Sequence, residues 1–211
     1  MISDELLEYA AMYTTPELPV LEKLNHETHL TQVTPQMMAG PMQGTFLRFV
    51  SEMMKPQRIL EIGTFTGYST ICLASGMPSS GTIHTIEVNP EQEEIIRRYF
   101  WESGMEKQIK LHIGEAKTII PGLAETWDLV YIDADKPNYL AYYNLVFDSV
   151  RPGGFILADN ALWDGKVLNP REKLDKDTLG IVEFNEFVQH DDRVDNLLLP
   201  FRDGLMLIQK R

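Results

Sequence analysis

The sequence predicts an α/β fold, a doubly wound and mostly parallel sheet of seven strands that ends in an antiparallel hairpin. Three observations predict it. From residue 58 onward short apolar runs alternate with helical patterns, the rhythm of strand–helix–strand units. Glycine and proline mark the boundaries of those runs. The last two apolar runs flank Arg202-Asp203-Gly204, a connection too short to join parallel neighbours. We treat residues 1–211 as one domain, with N-terminal helices in 1–57 and an α/β core in 58–211.

The elements follow in order. Residues 2–13 and 17–30 read as helices, with Leu6, Leu7 and Ala10 on one face of the first. Residues 42–54 form another amphipathic pattern, ended by Pro56. "RILEIG" (58–63) is the first strand, followed by a glycine-containing turn and the helix "YSTICLASGM". "GTIHTIEV" (81–88) is the second strand. The helix at 90–104 has proline at its start and glycine at its end. "IKLHIG" (109–114) is the third strand, "EAKTIIPGL" a short helix, and "WDLVYID" (127–133) the fourth strand. A helix over 137–150, closed by "RPGG", leads to a fifth strand at 154–160. A polar stretch at 164–177 precedes a helix at about 178–190, and "DNLLLPF" and "GLMLIQK" complete the hairpin.

Composition excludes several classes. The chain has 31 acidic and 19 basic residues, a net charge of -12, and no Lys/Arg cluster, so a nucleic-acid partner is not expected. No apolar run approaches the length of a membrane span, and the acidic start lacks the features of a signal peptide. The single cysteine, Cys72, cannot form an internal disulfide and suits a reducing compartment. We therefore expect a cytoplasmic protein without a membrane partner. The five histidines show no metal-ligand spacing beyond His26 and His29, which do not follow the zinc-protease pattern; they read as surface or packing residues.

In doubly wound sheets ligands bind beyond the carboxyl ends of the strands. Gly63, Glu87, Asp133, Asp159 and Asn160 fall at those ends. A dinucleotide fingerprint would need glycine at 63, 65 and 68, but positions 65 and 68 hold Phe65 and Tyr68. Phe65 would fill the space a pyrophosphate needs, which argues against NAD and FAD. A turn against a ligand without phosphates remains. Glu87, 24 residues beyond Gly63, suits a ribose diol, although a solvated strand-end acid is the plainer reading.

Together "LEIGTFTGYS", "IEVNPE", "YIDADKPNY" and "LADNALWDGKV" resemble the class I S-adenosylmethionine-dependent O-methyltransferases. Within these they are most similar to the cation-dependent catechol and caffeoyl-CoA branch, from about residue 30 to the C-terminus. The resemblance implies a Rossmann-like methyltransferase fold with S-adenosylmethionine as cofactor. It implies that Glu87 holds the ribose, Gly63 and Ser69 the methionine part, Glu61 the neighbourhood of its amino group, and Ala116 the adenine. It places Met37 and Ala39 against the cofactor, although Met37 and Met38 also read as core. Asp133 and Asp135 would line the same pocket. It places a catalytic lysine at Lys136, which a plainer reading leaves solvated and paired with Asp135. It also suggests a homodimer.

Asp133, Asp159 and Asn160 offer only oxygen, which suits Mg²⁺, Mn²⁺ or Ca²⁺ rather than zinc. Two acidic strand ends side by side repel, and a cation resolves that; Asp159-Asn160 as a turn former is the alternative. Trp163 either walls an aromatic acceptor or packs. The expected reaction is cation-assisted methyl transfer to a hydroxyl of a small vicinal dihydroxy-aromatic, with Asp133 and Lys136 at the reacting centre. A metal-independent methyltransferase of the same fold and a non-catalytic nucleoside-binding protein are the rivals. The acceptor is not legible: the later glutamate of the catechol enzymes corresponds to Leu197, and no coenzyme A-binding basic residues stand out.

Overall fold

The strand β1 (Arg58–Ile62) is an inner strand of the sheet and is buried on both faces. The computed structural model describes residues 4–211. Around β1 the sheet is completed by β2 (Thr82–Glu87), β3 (Ile109–Ile113), β4 (Trp127–Ile132), β5 (Val150–Ala158), β6 (Val194–Leu199) and β7 (Leu205–Lys210). The order is β3-β2-β1-β4-β5-β7-β6. The first five strands are parallel, and β7 runs antiparallel to both β5 and β6. The chain therefore winds to one side of β1 and then to the other, leaving a switch point between β1 and β4.

Strand alternation sends side chains to two cores. Leu60, Ile62, Val130, Ile132 and Ile156 face one, with α7 (Tyr139–Phe147) and α8 (Lys176–Gln189). Ile59, Ile83, Leu129, Tyr131 and Leu157 face the other, with α2 (Pro19–Thr31), α3 (Gly40–Met54), α4 (Tyr68–Gly76) and α5 (Glu93–Glu102). Burial on both faces explains why the central strands read as continuous apolar runs rather than alternating ones. The remaining helices are α1 (Asp4–Met12) and α6 (Ala116–Ile119). Among the described residues no helix is long and apolar enough to cross a membrane.

Several boundaries differ from the sequence reading. The first helix was expected from residue 2; residues 2 and 3 lie outside the described residues. The helix at 90–104 divides into a 3-10 turn at Pro90–Gln92 and α5, and the one at 137–150 into a 3-10 turn at Lys136–Asn138 and α7. β5 starts at Val150, so "RPGG" lies inside the strand, where the pairing slips between Trp127 and Leu129. Proline and glycine mark an irregular strand start here rather than a loop. α8 begins at Lys176 because the Asp175 side chain accepts from Thr178 N–H at 2.8 Å, an N-cap.

One polar group in the core has a consequence for stability. His84 of β2 is buried; its Nδ1 lies 3.1 Å from His112 Nε2, and its ring meets the edge of Trp127. Burial, then the neighbouring His112, Lys110 and Arg58, pushes its pKa down to about 4, with Glu125 opposing. The folded state thus resists a proton that the unfolded chain accepts near 6.5. Stability from this site is complete above 6.5 and is lost as pH falls towards about 4. The urea midpoint of the wild type should accordingly drop more between about pH 7.5 and about pH 5 than that of His84→Phe. Equal drops would remove His84 as a source of acid lability.

Candidate active site

Hydrogen bonds carry the sheet one residue past its strand ends. Gly63 N–H donates to Ile86 O at 3.0 Å, Asp133 N–H to Ile62 O at 2.9 Å, and Asp159 N–H to Ile132 O at 2.9 Å. Residues 63, 133 and 159 therefore leave the sheet side by side. Gly63 adopts φ +101°, and a Cβ there would lie 1.8 Å from the Asp133 carbonyl oxygen. Only glycine allows this contact.

Glu61, on β1, is fully buried. Its Oε2 accepts from the Thr85 hydroxyl at 2.6 Å and from the Thr70 hydroxyl, with Ser69 alongside. Burial pushes this carboxyl up to about 7; the three hydroxyls oppose the shift and the charge of Asp133 adds to it. Oε1 has no protein partner among the described residues. A buried carboxylate oxygen left open in this way is a natural acceptor for an N–H or cationic ligand.

Glu87 closes β2. Its Oε2 accepts from Phe65 N–H at 2.8 Å and its Oε1 from Asn89 N–H at 2.8 Å. Phe65 presents its amide from a left-handed conformation, φ +52°. The carboxylate is thus fixed by backbone, and each oxygen keeps a lone pair for a diol. Ala116 is buried at the start of α6, just beyond β3. Ala39 and Met38 are buried beside α3, whereas Met37 is exposed in the turn Pro35–Met37. Core packing accounts for Met38 and leaves Met37 open to a ligand.

Asp133, Asp159 and Lys136 form the charged centre. Lys136 is buried rather than solvated, and its Nζ donates to Asp133 Oδ1 at 3.1 Å and to the Tyr139 hydroxyl at 2.7 Å. Burial disfavours its charge, but Tyr139 and Asp133 outweigh that and hold the ammonium above its ordinary range. Burial raises Asp133 to about 6, against the attraction of Lys136 and with the repulsion of Asp159. Asp135 does not pair with Lys136. It is exposed, accepts from the Tyr142 hydroxyl at 2.5 Å and from the Asn138 amide, and so ties down the start of α7.

Asp159 is buried at the end of β5. Its Oδ2 accepts from Gln43 Nε2 at 2.5 Å and the Tyr131 hydroxyl at 3.0 Å, and its Oδ1 from Asn160 N–H at 2.8 Å. Asn160 has φ +55° and donates Nδ2 to Asp203 at 3.2 Å. The Trp163 ring lies 5.5 Å from Lys136 Nζ, and its buried indole N–H has no protein partner among the described residues. Among the described residues no three His, Cys, Asp or Glu side chains could share a metal ion. The candidate set is two carboxylates and an amide.

Sequence reading missed Gln43, Tyr131, Tyr139, Arg202 and Asp203. Only Tyr139 carried a local signal, three residues after Lys136 at a helix start. The others arrive from α3, β4 and the β6–β7 turn, and no spacing announces their convergence.

Comparison with known proteins bears on the fold and the family. A family model described as O-methyltransferase matches residues 10–211. A catechol O-methyltransferase of Niastella koreensis is 34% identical over 169 residues, covering 78% of this chain and 76% of that protein. A caffeoyl-CoA O-methyltransferase of Stellaria longipes is 28% identical over 201 residues, covering 90% and 83%. The O-methyltransferase TomG of Streptomyces achromogenes, solved in complex with SAM, superposes with a TM-score of 0.90 at 28% identity, covering 100% of this chain and 99% of that one.

The contact at Gly63 yields a direct expectation. In Gly63→Ala the added methyl must push the ends of β1 and β4 apart while holding a strained φ. The variant should lose about 2–4 kcal/mol of stability in urea titration. A loss below about 0.5 kcal/mol, the range of a neutral surface change, would show that the strand ends yield without cost.

Proposed function

As the chain belongs to the O-methyltransferase family, we propose that it transfers the methyl group of S-adenosylmethionine to one hydroxyl of a vicinal dihydroxy-aromatic acceptor, with a divalent cation held by Asp133, Asp159 and Asn160. The observation that carries this reading is the pair of carboxylates at the adjacent ends of β4 and β5, close enough to raise Asp133, with the buried Lys136 beside them. The donor set fits a hard cation. All three ligands offer oxygen, and the Asn160 amide nitrogen is taken by Asp203, which leaves its carbonyl end available.

The remaining residues divide the work. The Glu61 Oε1 without a partner suits the amino group of the methionine part, and the backbone-fixed Glu87 suits the ribose hydroxyls. Trp163, packed over Lys136, provides an aromatic wall for the acceptor. When bound, the cation would polarise the acceptor hydroxyls and lower their pKa. Lys136 would take the hydroxyl proton as the neutral amine: Asp133 and Tyr139 favour its ammonium form in the ligand-free site, whereas a bound cation and the positive sulfonium of the cofactor would disfavour it, and Tyr139 fixes its direction. The hydroxyl oxygen forms a bond to the methyl carbon as the bond from carbon to sulfur breaks. The products are the methyl ether and S-adenosylhomocysteine, and the proton leaves on Lys136. Fixing donor and acceptor in line supplies much of the acceleration.

A second reading has an observation in its favour. Asp133 is already paired with Lys136, and Asp159 accepts from three donors, so the site is partly compensated without a cation. This is the metal-independent methyltransferase, and chelation separates the two.

Two expectations follow from the first reading. Excess EDTA should abolish turnover of a vicinal diphenol, Mg²⁺ should restore it, and Asp159→Ala should lose activity while still binding S-adenosylmethionine in calorimetry. Full turnover in EDTA selects the metal-independent reading. Lys136→Met should lower kcat by about 10²-fold or more with S-adenosylmethionine affinity nearly intact. A kcat within about twofold of wild type, with the chemical step limiting, would assign the proton to another acceptor.

A further inference from the structure

Arg202 stands in the turn between β6 and β7 with φ +50°, a left-handed conformation that a side chain disfavours and glycine accepts freely. Its Nη1 donates to Gln43 Oε1 at 2.7 Å. Gln43 is buried on α3, and its Nε2 donates to both the Tyr131 hydroxyl, at 2.9 Å, and Asp159 Oδ2, at 2.5 Å. The Tyr131 hydroxyl in turn donates to the same Oδ2 at 3.0 Å. The amide can face only one way. Turned over, it would set oxygen against a carboxylate and nitrogen against a guanidinium. The four residues come from α3, β4, the end of β5 and the β6–β7 turn, and their chain of hydrogen bonds ends on the carboxylate of Asp159.

We propose that Arg202 and Gln43 are positioning residues that fix the carboxylate of Asp159 for the divalent cation. Arg202 orients the Gln43 amide, and Gln43 together with Tyr131 fixes Oδ2, so that the rotation of the carboxylate is set from the hairpin and from α3. Neither residue touches the reacting atoms. The proposal rests on the metal reading above and assigns to it a support that spacing in the sequence does not show. It also gives a reason for an arginine where the backbone favours glycine: the guanidinium is needed at the far end of the relay. A purely electrostatic role makes the opposite prediction. A cation near the site repels a metal ion, so deleting it would tighten metal binding.

The test is Mn²⁺ affinity of the full chain without acceptor, measured by electron paramagnetic resonance of free Mn²⁺, for wild type, Gln43→Met and Arg202→Gly. Each variant should bind Mn²⁺ about 10-fold or more weakly, the range for lost support of a metal ligand. Saturating Mn²⁺ should largely recover kcat, because positioning rather than chemistry was removed. The melting temperature of Arg202→Gly should hold or rise, since glycine relaxes the turn; a merely structural arginine would lower it and leave Mn²⁺ affinity unchanged. Unchanged or tighter binding in both variants overturns the relay. Weakening in Gln43→Met alone removes Arg202 from it. A wild type that binds no Mn²⁺ overturns the metal reading itself, and the relay with it.

Discussion

The site depends on how closely the ends of β1 and β4 approach. At Gly63 the backbone leaves no room for a Cβ beside the Asp133 carbonyl. That contact fixes where β4 ends relative to β1. The ladder of Asp133 N–H to Ile62 O and Asp159 N–H to Ile132 O then fixes β5 relative to β4. Three loops start from one plane, and the side chains of Glu61, Asp133 and Asp159 are brought within one electrostatic neighbourhood. A bulkier residue at 63 would not only strain one turn; it would shift the carboxylates with respect to one another.

That neighbourhood is unstable by itself. Glu61 and Asp133 are both raised by burial, and Asp133 is further raised by Asp159. Carboxylates taken out of water must be paired, hydrogen-bonded or protonated. Each one is answered differently. Hydroxyls of Thr70 and Thr85 meet one oxygen of Glu61, Lys136 meets Asp133, and an amide, a phenol and a backbone N–H meet Asp159. What is left open is selective: one oxygen of Glu61 within the protein's own hydrogen bonding, and the repulsion between two strand ends. These are the places where, on the reading proposed above, a cationic donor group and a divalent ion would add stability.

The sheet was legible because its signals are local. Apolar runs bounded by glycine and proline marked every strand, and the short Arg202-Asp203-Gly204 connection marked the antiparallel end. Boundaries failed where tertiary pairing overrode punctuation, as at Pro152 to Gly154, which β4 draws into β5. Candidate residues at strand ends stood out for the same reason, since a charge following an apolar run is a local signal. Glu87, Asp133 and Asp159 are of this kind, whereas Glu61 lies inside β1 and was named only through the resemblance. Gln43 and Arg202 are not. Gln43 looks like one polar position in an amphipathic helix, and Arg202 like a turn residue. Their meaning appears only when α3 and the hairpin close over β5. The plain reading of Lys136 as a solvated lysine failed because Tyr139 and Asp133 make its burial tolerable.

The two halves of the site are built differently, and this bears on what evolves. On the reading proposed above, the donor side would be made by β1, β2 and the glycine turn, where backbone N–H groups and buried hydroxyls fix Glu61 and Glu87. The acceptor side would be made by the segment after β5. There Asn160, Trp163 and Asp164 all take left-handed conformations, and short 3-10 turns replace a helix. Strain of this kind persists only where surrounding contacts determine it. Those contacts come from the hairpin: Asp203 accepts from Asn160 and from Asp164 N–H, and Leu162 N–H donates to the Asp203 carbonyl. The β6–β7 turn thus holds the acceptor loop from one side while Arg202 reaches Gln43 on the other. On that reading a change of turn sequence at 200–204 would alter acceptor fit without disturbing the donor side, because among the described residues the hydrogen-bond partners of Glu61 and Glu87 all lie outside that turn.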